Sequence, residues 1–241
     1  MMRVLFQGDE IGTYYADLIG ADGLDASACK VEAKEYATLD GAPSATARMG
    51  RRDVRLRYAL TSRAEAARDR IYHVFPPKGE GQLRIMTDTK DLIAQAFVAS
   101  IEVDPWASQQ VMEVSLVCPD PWLYSRTEKS FTASVSGGTA TWTVRNDGTT
   151  TGFLATGLAA SGTASVGTSS VTWANATSGM SLDTREGSRD LFKPSGSART
   201  SYLSSITAWG WPQIPFGEVT VEATVSASSP VLTIRERWAG I

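Results

Sequence analysis

Five arginines lie close together in the first half of the sequence and form its densest charged feature. They are Arg48, Arg51, Arg52, Arg55 and Arg57, and Asp53 is the one acidic residue among them. Guanidinium groups attract phosphate whatever the base sequence, so one interpretation is a positive rim that guides passing DNA. The other is ion pairing with acidic neighbours, within one chain or between copies. The formal net charge of −3 favours ion pairing, because no positive field surrounds the whole chain.

Two tryptophans in the second half could bind a sugar. Trp209 and Trp211 flank Gly210, and aromatic faces stack well on sugar rings. The alternative is that both rings pack beneath the loop containing Pro212 and Pro215. Both interpretations remain open from the sequence, and the packed arrangement is favoured.

The sequence lacks the residues that common catalytic and metal sites require. His73 is the only histidine, and no nucleophile or orienting carboxylate accompanies it in a recognisable motif. Asp183, Glu186 and Asp190 do not follow the spacing of a calcium-binding loop. Cys29 and Cys118 are too few for a disulfide framework and are expected to be reduced. We therefore expect no catalytic residues, no cofactor, no metal and no enzymatic activity.

Composition indicates a folded protein that works outside membranes. Of the 241 residues, 42% are hydrophobic and 20% are charged, which is enough apolar material for a core. No apolar run approaches the roughly 20 residues of a membrane-spanning helix. The N-terminus has no apolar signal sequence. We expect assembly in a bacterial cytoplasm and no membrane insertion.

The elements of the first half are predicted from periodicity. Residues 53–60 alternate between apolar and charged, which is the pattern of a half-buried strand. Ser62 and Glu65 have capping-box spacing and predict a helix, with Ala64, Ala67, Ile71 and Val74 on its apolar face. Three further strands are predicted at 83–86, 95–103 and 111–118.

The second half is predicted to be strands throughout. Trp142 and Val144 alternate with threonines, as do Val219 and Val221 further along the chain. Short alternating strands with glycine-rich turns predict a β-sandwich. Charge becomes sparser near residue 128, so we place a domain boundary there. The predicted fold is mainly β, with a β-rich domain containing one packed helix at 1–127 and a sandwich at 128–241.

Four segments of the chain, taken in order, stand out as motifs. They are GRRDVRL at 50–56, CPDPWLY at 118–124, MSLDTREG at 180–187, and WPQIPFGEVTV at 211–221 with RWAGI at 237–241. The first is an arginine-bearing strand followed by the short helix, and the third and fourth lie in the second half. Together they resemble the siphophage tail-component family that includes the distal tail proteins. The second segment is similar to the proline- and aromatic-containing motif that closes the family's N-terminal domain.

The resemblance implies a structural protein of the virion tail tip. Its N-terminal domain would build a ring, usually of six copies, and a galectin-like sandwich would project outward. Such a ring lies between the tail tube protein, the tape-measure protein and the tail-tip or receptor-binding proteins, with DNA only in passage. The five arginines would then lie at the ring interface or line its opening, and residues 21–48 would reach a neighbouring subunit. The alternative is a carbohydrate-binding tail-tip module that recognises the host surface.

Overall fold

The chain folds into two compact units, each with its own core. The computed structural model describes residues 2–34, 44–61, 64–104, 110–195 and 198–241, and for 31–34, 44–48 and 104 it describes the backbone alone. One unit comprises the residues up to Tyr124 together with Trp238–Ile241, and the other comprises Ser125–Arg237. The division therefore falls three residues before the predicted boundary, and the last four residues belong to the first unit.

The first unit contains one eight-stranded antiparallel sheet, one two-stranded sheet and a helix. Its strands are β1 (Arg3–Phe6), β2 (Ala16–Asp22), β3 (Cys29–Lys34), β4 (Ser44–Met49), β5 (Arg52–Leu60), β6 (Glu80–Met86), β7 (Asp91–Asp104), β8 (Val111–Cys118) and β9 (Leu123–Ser125). Six strands of the large sheet follow the order β1-β6-β7-β8-β5-β2, and β9 pairs with β7. β3 and β4 pair with each other as a separate hairpin.

Strand β5 has the predicted alternation. Val54, Leu56, Tyr58 and Leu60 are buried, whereas Asp53, Arg55 and Arg57 are exposed. The strand pairs with β8 on one side and β2 on the other, so its inward residues lie near the centre of the core.

Helix α1 spans Ala64–Val74 and packs on the core of the first unit. Ala67, Ile71 and Val74 are buried, as the 3.6-residue period predicts, and Ala64 is partly buried. Phe75 is buried directly after the helix and its ring lies 5.3 Å from that of Phe6. The predicted cap residue Ser62 lies outside the described residues.

In the described part of the second unit, all regular elements are strands apart from one 3₁₀ turn at Leu203–Ser205. Its strands are β10 (Lys129–Thr132), β11 (Ser134–Ser136), β12 (Thr139–Asn146), β13 (Phe153–Leu158), β14 (Gly162–Val166), β15 (Ser169–Trp173), β16 (Met180–Asp183), β17 (Asp190–Ser195), β18 (Ala198–Ser201), β19 (Ile206–Ala208), β20 (Gly217–Thr224) and β21 (Val231–Ile234). The final strand, β22 (Arg237–Trp238), pairs with β9.

Two six-stranded sheets make the second unit a β-sandwich. One has the order β10-β21-β13-β16-β17-β18 and the other β11-β12-β20-β14-β15-β19. Trp142 and Trp173 are fully buried in a core to which both sheets contribute. The predicted mainly-β fold and the predicted sandwich are confirmed, whereas its galectin-like character stays a prediction.

Candidate assembly surface

Three of the five predicted arginines lie on the exposed side of the first unit and form ion pairs within the chain. Each reaches a carboxylate on β5, on neighbouring β8 or on neighbouring β2. The pairs are Arg51 Nε to Asp53 Oδ1 at 3.1 Å, Arg55 Nε to Glu113 Oε1 at 3.9 Å, and Arg57 Nη2 to Asp22 Oδ2 at 3.3 Å. Exposed pairs of this kind contribute roughly 0–1 kcal/mol each, so they balance charge more than they stabilise the fold. Arg48 lies on β4, where the structure describes the backbone alone.

Arg52 does not belong with the exposed arginines, because it is buried with 1% of its surface accessible. Its position on β5 explains this: it is in phase with Val54 and Leu56, so it points inward. Burial lowers the pKa of Arg52, although a guanidinium in a protein stays protonated. In this chain it cannot serve as part of a rim that meets solvent.

The Arg52 guanidinium is bonded to main-chain oxygens from three parts of the first unit. Pro121 O accepts from Nε at 2.9 Å and from Nη2 at 2.6 Å. Nη1 donates to Gly23 O at 2.8 Å and to Asp25 O at 2.6 Å. Nη2 also donates to Ala239 O. These bonds tie β5 to the loop after β2, the segment after β8 and the C-terminal residues. Arg52 is therefore an organising residue of the first unit.

Trp209 and Trp211 form an aromatic pair beside the sandwich. Their ring centroids are 5.9 Å apart with an interplanar angle of 64°. Trp211 packs partly against the core, whereas Trp209 keeps 60% of its surface exposed. Gly210 between them approaches Ser170 O so closely that a Cβ would lie 2.4 Å from that oxygen. Trp211 is therefore held against the core, and the neighbouring Trp209 ring is largely open to solvent.

The first unit exposes two kinds of unpaired strand edge. β1 and β2 end the main path of the large sheet, and in the described part of the chain neither has a second strand beside it. Among the described strands, β3 and β4 pair only with each other. Backbone N–H and C=O groups along such edges can pair with another chain. A two-stranded hairpin is at best marginally stable alone, which makes this segment a candidate for a contact with a partner.

Of the remaining candidate residues, the three carboxylates have local partners. His73 is exposed near the end of α1. Asp183 accepts hydrogen bonds from Arg185, Glu186 pairs with Arg237, and Asp190 accepts from Ser201 Oγ at 2.6 Å. Among the described residues, no three His, Cys, Asp or Glu side chains gather as metal ligands.

The cysteines occupy two different environments. Cys118 is buried, and this burial raises the pKa of its thiol to about 11, while Cys29 is exposed at the start of β3. In the part of the chain that the structure describes, no helix has the length and apolarity needed to cross a membrane.

Sequence comparison gives no relative, but structural comparison does. No protein-family profile and no curated protein sequence matches the chain. The fold matches the crystal structure of the Dit protein of phage SPP1, described as a paradigm of the hub adsorption apparatus in phages that infect Gram-positive bacteria. The TM-score is 0.69 with 10% identity, over 99% of both chains. The fold is that of a phage distal tail protein.

Two further solved structures share the distal tail fold over their whole length. They come from the phage P2 baseplate in its activated conformation, one with calcium and one with strontium. Each has a TM-score of 0.51 and 7% identity, over 100% of both chains. At such identities the likeness concerns the fold, and the roles of individual residues follow from the contacts in this chain.

Three of the segments that resemble the tail-component family meet at Arg52. The strand at 50–56 carries the guanidinium, the 118–124 segment provides Pro121 O, and the C-terminal segment provides Ala239 O. The sequence gives no direct sign of this meeting, although the phase of Arg52 on its strand could have identified it as buried. In this chain Arg52 therefore joins segments of the first unit that lie far apart in sequence.

Proposed function

We propose that the chain is a non-catalytic hub at the distal end of a long non-contractile phage tail, where it joins the tail tube to the host-adhesion apparatus. The observation that carries the proposal is the likeness to SPP1 Dit over 99% of both chains. A likeness of a single domain would be weaker support, because one β-sandwich serves many functions. Here the likeness extends over 99% of the chain and so over both of its units.

The proposed hub is a ring of six copies whose N-terminal unit forms the ring. A ring requires a heterologous interface, in which one surface of a copy meets a different surface of the next. The unpaired strand edges of the first unit supply backbone groups suited to such contacts. The sandwich would lie outside the ring. The partners would be the tail tube protein, the tape-measure protein and the tail-tip or receptor-binding proteins, at the virion tail tip.

The exposed arginines would contribute to the ring through ion pairs more than through DNA binding. Arg51, Arg55 and Arg57 each have a carboxylate within 4 Å in their own chain, and this lowers their attraction for phosphate. DNA would then pass through without being held.

The mass of the purified full-length chain in solution tests the ring. Light scattering at increasing concentration is expected to approach a particle of about 155 kDa, which is six times the chain mass of 25.8 kDa. A second sample has residues 29–49 replaced by a short Gly-Ser linker and should remain monomeric, with the strand content lowered only by the loss of β3 and β4. A full-length chain that stays monomeric at every concentration and also with its tail-tube partner would contradict the hub.

A carbohydrate-binding role at the tail tip is the second candidate, favoured by the exposed Trp209 ring supported by Trp211. Sugar rings stack on such exposed aromatic faces. Binding of the full chain to host cell walls should fall at least ten-fold in Trp209→Ala. Phe216→Ala is the matched control, because Phe216 is 74% exposed nearby in sequence and has no stacked partner ring among the described residues. Equal binding by both variants and the unmodified chain would remove this role.

A further inference from the structure

One sheet of the sandwich has an outer face that carries hydroxyl groups around a single carboxylate. The sheet contains β12, β20, β14 and β15 side by side, and alternate residues of these strands are buried in the core. The residues between them point away from the core, because side chains alternate along a strand. Four of these outward residues form a row across the strands, which we call the Glu222 row: Thr141, Glu222, Ser165 and Ser170.

The Glu222 row places the carboxylate between hydroxyl groups. Glu222 lies opposite Thr141 on β12 and opposite Ser165 on β14, and Ser165 lies opposite Ser170 on β15. Three strand spacings of about 4.8 Å give the row a length of about 14 Å. Two residues further along the same strands, threonines flank the row on both sides. They are Thr139, Thr163, Thr172 and Thr224 on one side and Thr143 and Thr220 on the other.

The polar groups of the Glu222 row are free within the described part of the chain, unlike several of the flanking threonines. Thr163 Oγ1 lies 3.2 Å from Thr172 Oγ1, and the Thr163 N–H donates to Thr224 Oγ1 at 3.3 Å. By contrast, the side chains of the row form no hydrogen bond and no ion pair with another described residue. Glu222 is also exposed. Its carboxylate and the hydroxyl groups beside it can therefore bond to a ligand without breaking contacts in the protein.

The exposed ring of Trp209 lies beside one end of the row. Ala208 pairs with Thr172, and a Cβ added to Gly210 would lie 2.4 Å from Ser170 O, so the chain around Trp209 runs along β15 at the level of Ser170. Trp209 keeps 60% of its surface exposed. A ligand that extends along the Glu222 row past Ser170 therefore meets an aromatic ring.

The chemistry of this face selects a neutral, hydroxyl-rich ligand. Phosphate polymers and nucleic acids are bound through Lys and Arg, and the Glu222 row and its flanking threonines carry neither. The core of a protein–protein interface is apolar, and the row has no apolar side chain. A neutral sugar chain offers hydroxyl donors to Glu222 and a ring face to Trp209. The outer side of β5 differs, because Arg55 and Arg57 are exposed there.

We propose that the Glu222 row is a binding surface for a neutral glycan chain, which lies across β12, β20, β14 and β15 and reaches Trp209. Glu222 accepts hydrogen bonds from sugar hydroxyls, and the serine and threonine hydroxyls both donate and accept. The inference rests on the carbohydrate-binding role given above as the second candidate. It adds the class of glycan and a set of contacts that does not depend on the tryptophan.

Binding of the full-length chain to isolated host cell walls tests the row. Glu222→Gln removes the charge and keeps the shape, and it should weaken binding about ten-fold, because a hydrogen bond to a charged group is among the stronger ones. Glu218→Gln is the matched control. Glu218 is exposed on the same strand and face, but it lies about 13 Å from Glu222, four residues along the strand. We expect Glu218→Gln to bind as the unmodified chain does.

A second pair of variants tests the hydroxyl groups. Thr141→Val keeps the shape of the side chain and removes a hydroxyl of the row, so it should weaken binding about three-fold. Thr143→Val makes the same change next to the row and should leave binding unchanged. Circular dichroism and urea unfolding of each variant verify that the chain remains folded.

The charge of the glycan is tested on the walls themselves. Treatment with hydrofluoric acid cleaves phosphodiester-linked polymers from one sample of walls, and the other sample is left untreated. The unmodified chain should bind both samples equally. Binding that disappears after the treatment would overturn the neutral glycan.

The outcomes separate the Glu222 row from the functions proposed above. If Trp209→Ala weakens binding but Glu222→Gln and Glu218→Gln bind equally, the row is overturned and a sugar site at Trp209 stands. If the unmodified chain does not bind walls at all, the row and the carbohydrate-binding role both fail. The hub is unaffected in either case, because the mass of the particle in solution tests it independently.

Discussion

Arg52 is a buried cation whose described hydrogen bonds all go to main-chain carbonyls. A buried charge is costly unless its surroundings solvate it, and here the dipoles of four carbonyl groups replace water. The planar guanidinium suits this arrangement because its donors point in several fixed directions at once. A single ammonium group cannot reach the same set of oxygens.

We expect Arg52→Lys to lower the free energy of unfolding of the first unit by about 3 kcal/mol, because the buried cation loses several of its carbonyl partners. Arg55→Lys is the matched control on the same strand and should change stability by about 0.5 kcal/mol or less, since Arg55 is exposed and its Glu113 pair is long. Urea unfolding followed by tryptophan fluorescence measures both. An equal loss in the two variants would contradict the organising role of Arg52.

By residue type alone, Arg52 groups with four other arginines, and the structure shows that it is buried. Grouping it with the neighbouring arginines assumes that a charged residue is exposed. The two-residue period of the strand correctly predicts that Arg52 is buried, because Arg52 lies an even number of positions from the buried Val54 and Leu56. The carbonyls that make its burial tolerable come from segments near Gly23, Pro121 and Ala239, and no local pattern reports that they meet.

Helix α1 illustrates how far a single element can be predicted. Its apolar spacing identifies the buried face, since Ala67, Ile71 and Val74 are the residues that pack on the sheet. The helix is only eleven residues long, so packing of that face must stabilise it more than intrinsic propensity does.

We expect Ile71→Ala to lower the free energy of unfolding by about 2–5 kcal/mol, because it removes a fully buried side chain from a packed core. Tyr72→Ala, at the next position of the same helix, should cost about 1 kcal/mol or less, because Tyr72 is exposed and alanine favours helix. Chemical denaturation of both variants gives the comparison. Similar losses would mean that the face of α1 is assigned incorrectly.

Strands were predictable where apolar and polar residues contrast. β5, β8, β12 and β20 contain strong alternation and were identified, with β8 matching at both ends. β14 and β17 were missed, because serine, threonine, glycine and proline blur the contrast between faces. β7 extends beyond its predicted start, and its pairing with β8 shifts between Val98 and Ser100, where a strict period of two fails.

At the scale of the whole molecule, the first unit is discontinuous in sequence. The chain leaves it after Tyr124 and returns at Trp238, and the strands carrying these residues, β9 and β22, pair with each other. The returning residues are tied to the first unit. Trp238 receives the Lys90 ammonium 5.4 Å from its ring centroid, and Ile241 N–H donates to Leu24 O at 3.2 Å. Composition alone indicated a boundary near residue 128 but could not reveal the return, which depends on pairing across more than a hundred residues.

The return of the chain predicts that the first unit needs its C-terminal residues even without the sandwich. A protein in which residues 125–237 are replaced by a linker of about four residues should fold, because β9 and β22 are adjacent and short connections suffice. It should be more stable by about 2 kcal/mol or more than residues 1–124 alone, which lack Ala239 O for Arg52 and the Trp238 ring for Lys90. Residues 125–237 alone should fold, since their core is their own. Equal urea midpoints for the linked protein and for residues 1–124 would show that the returning residues do not stabilise the unit.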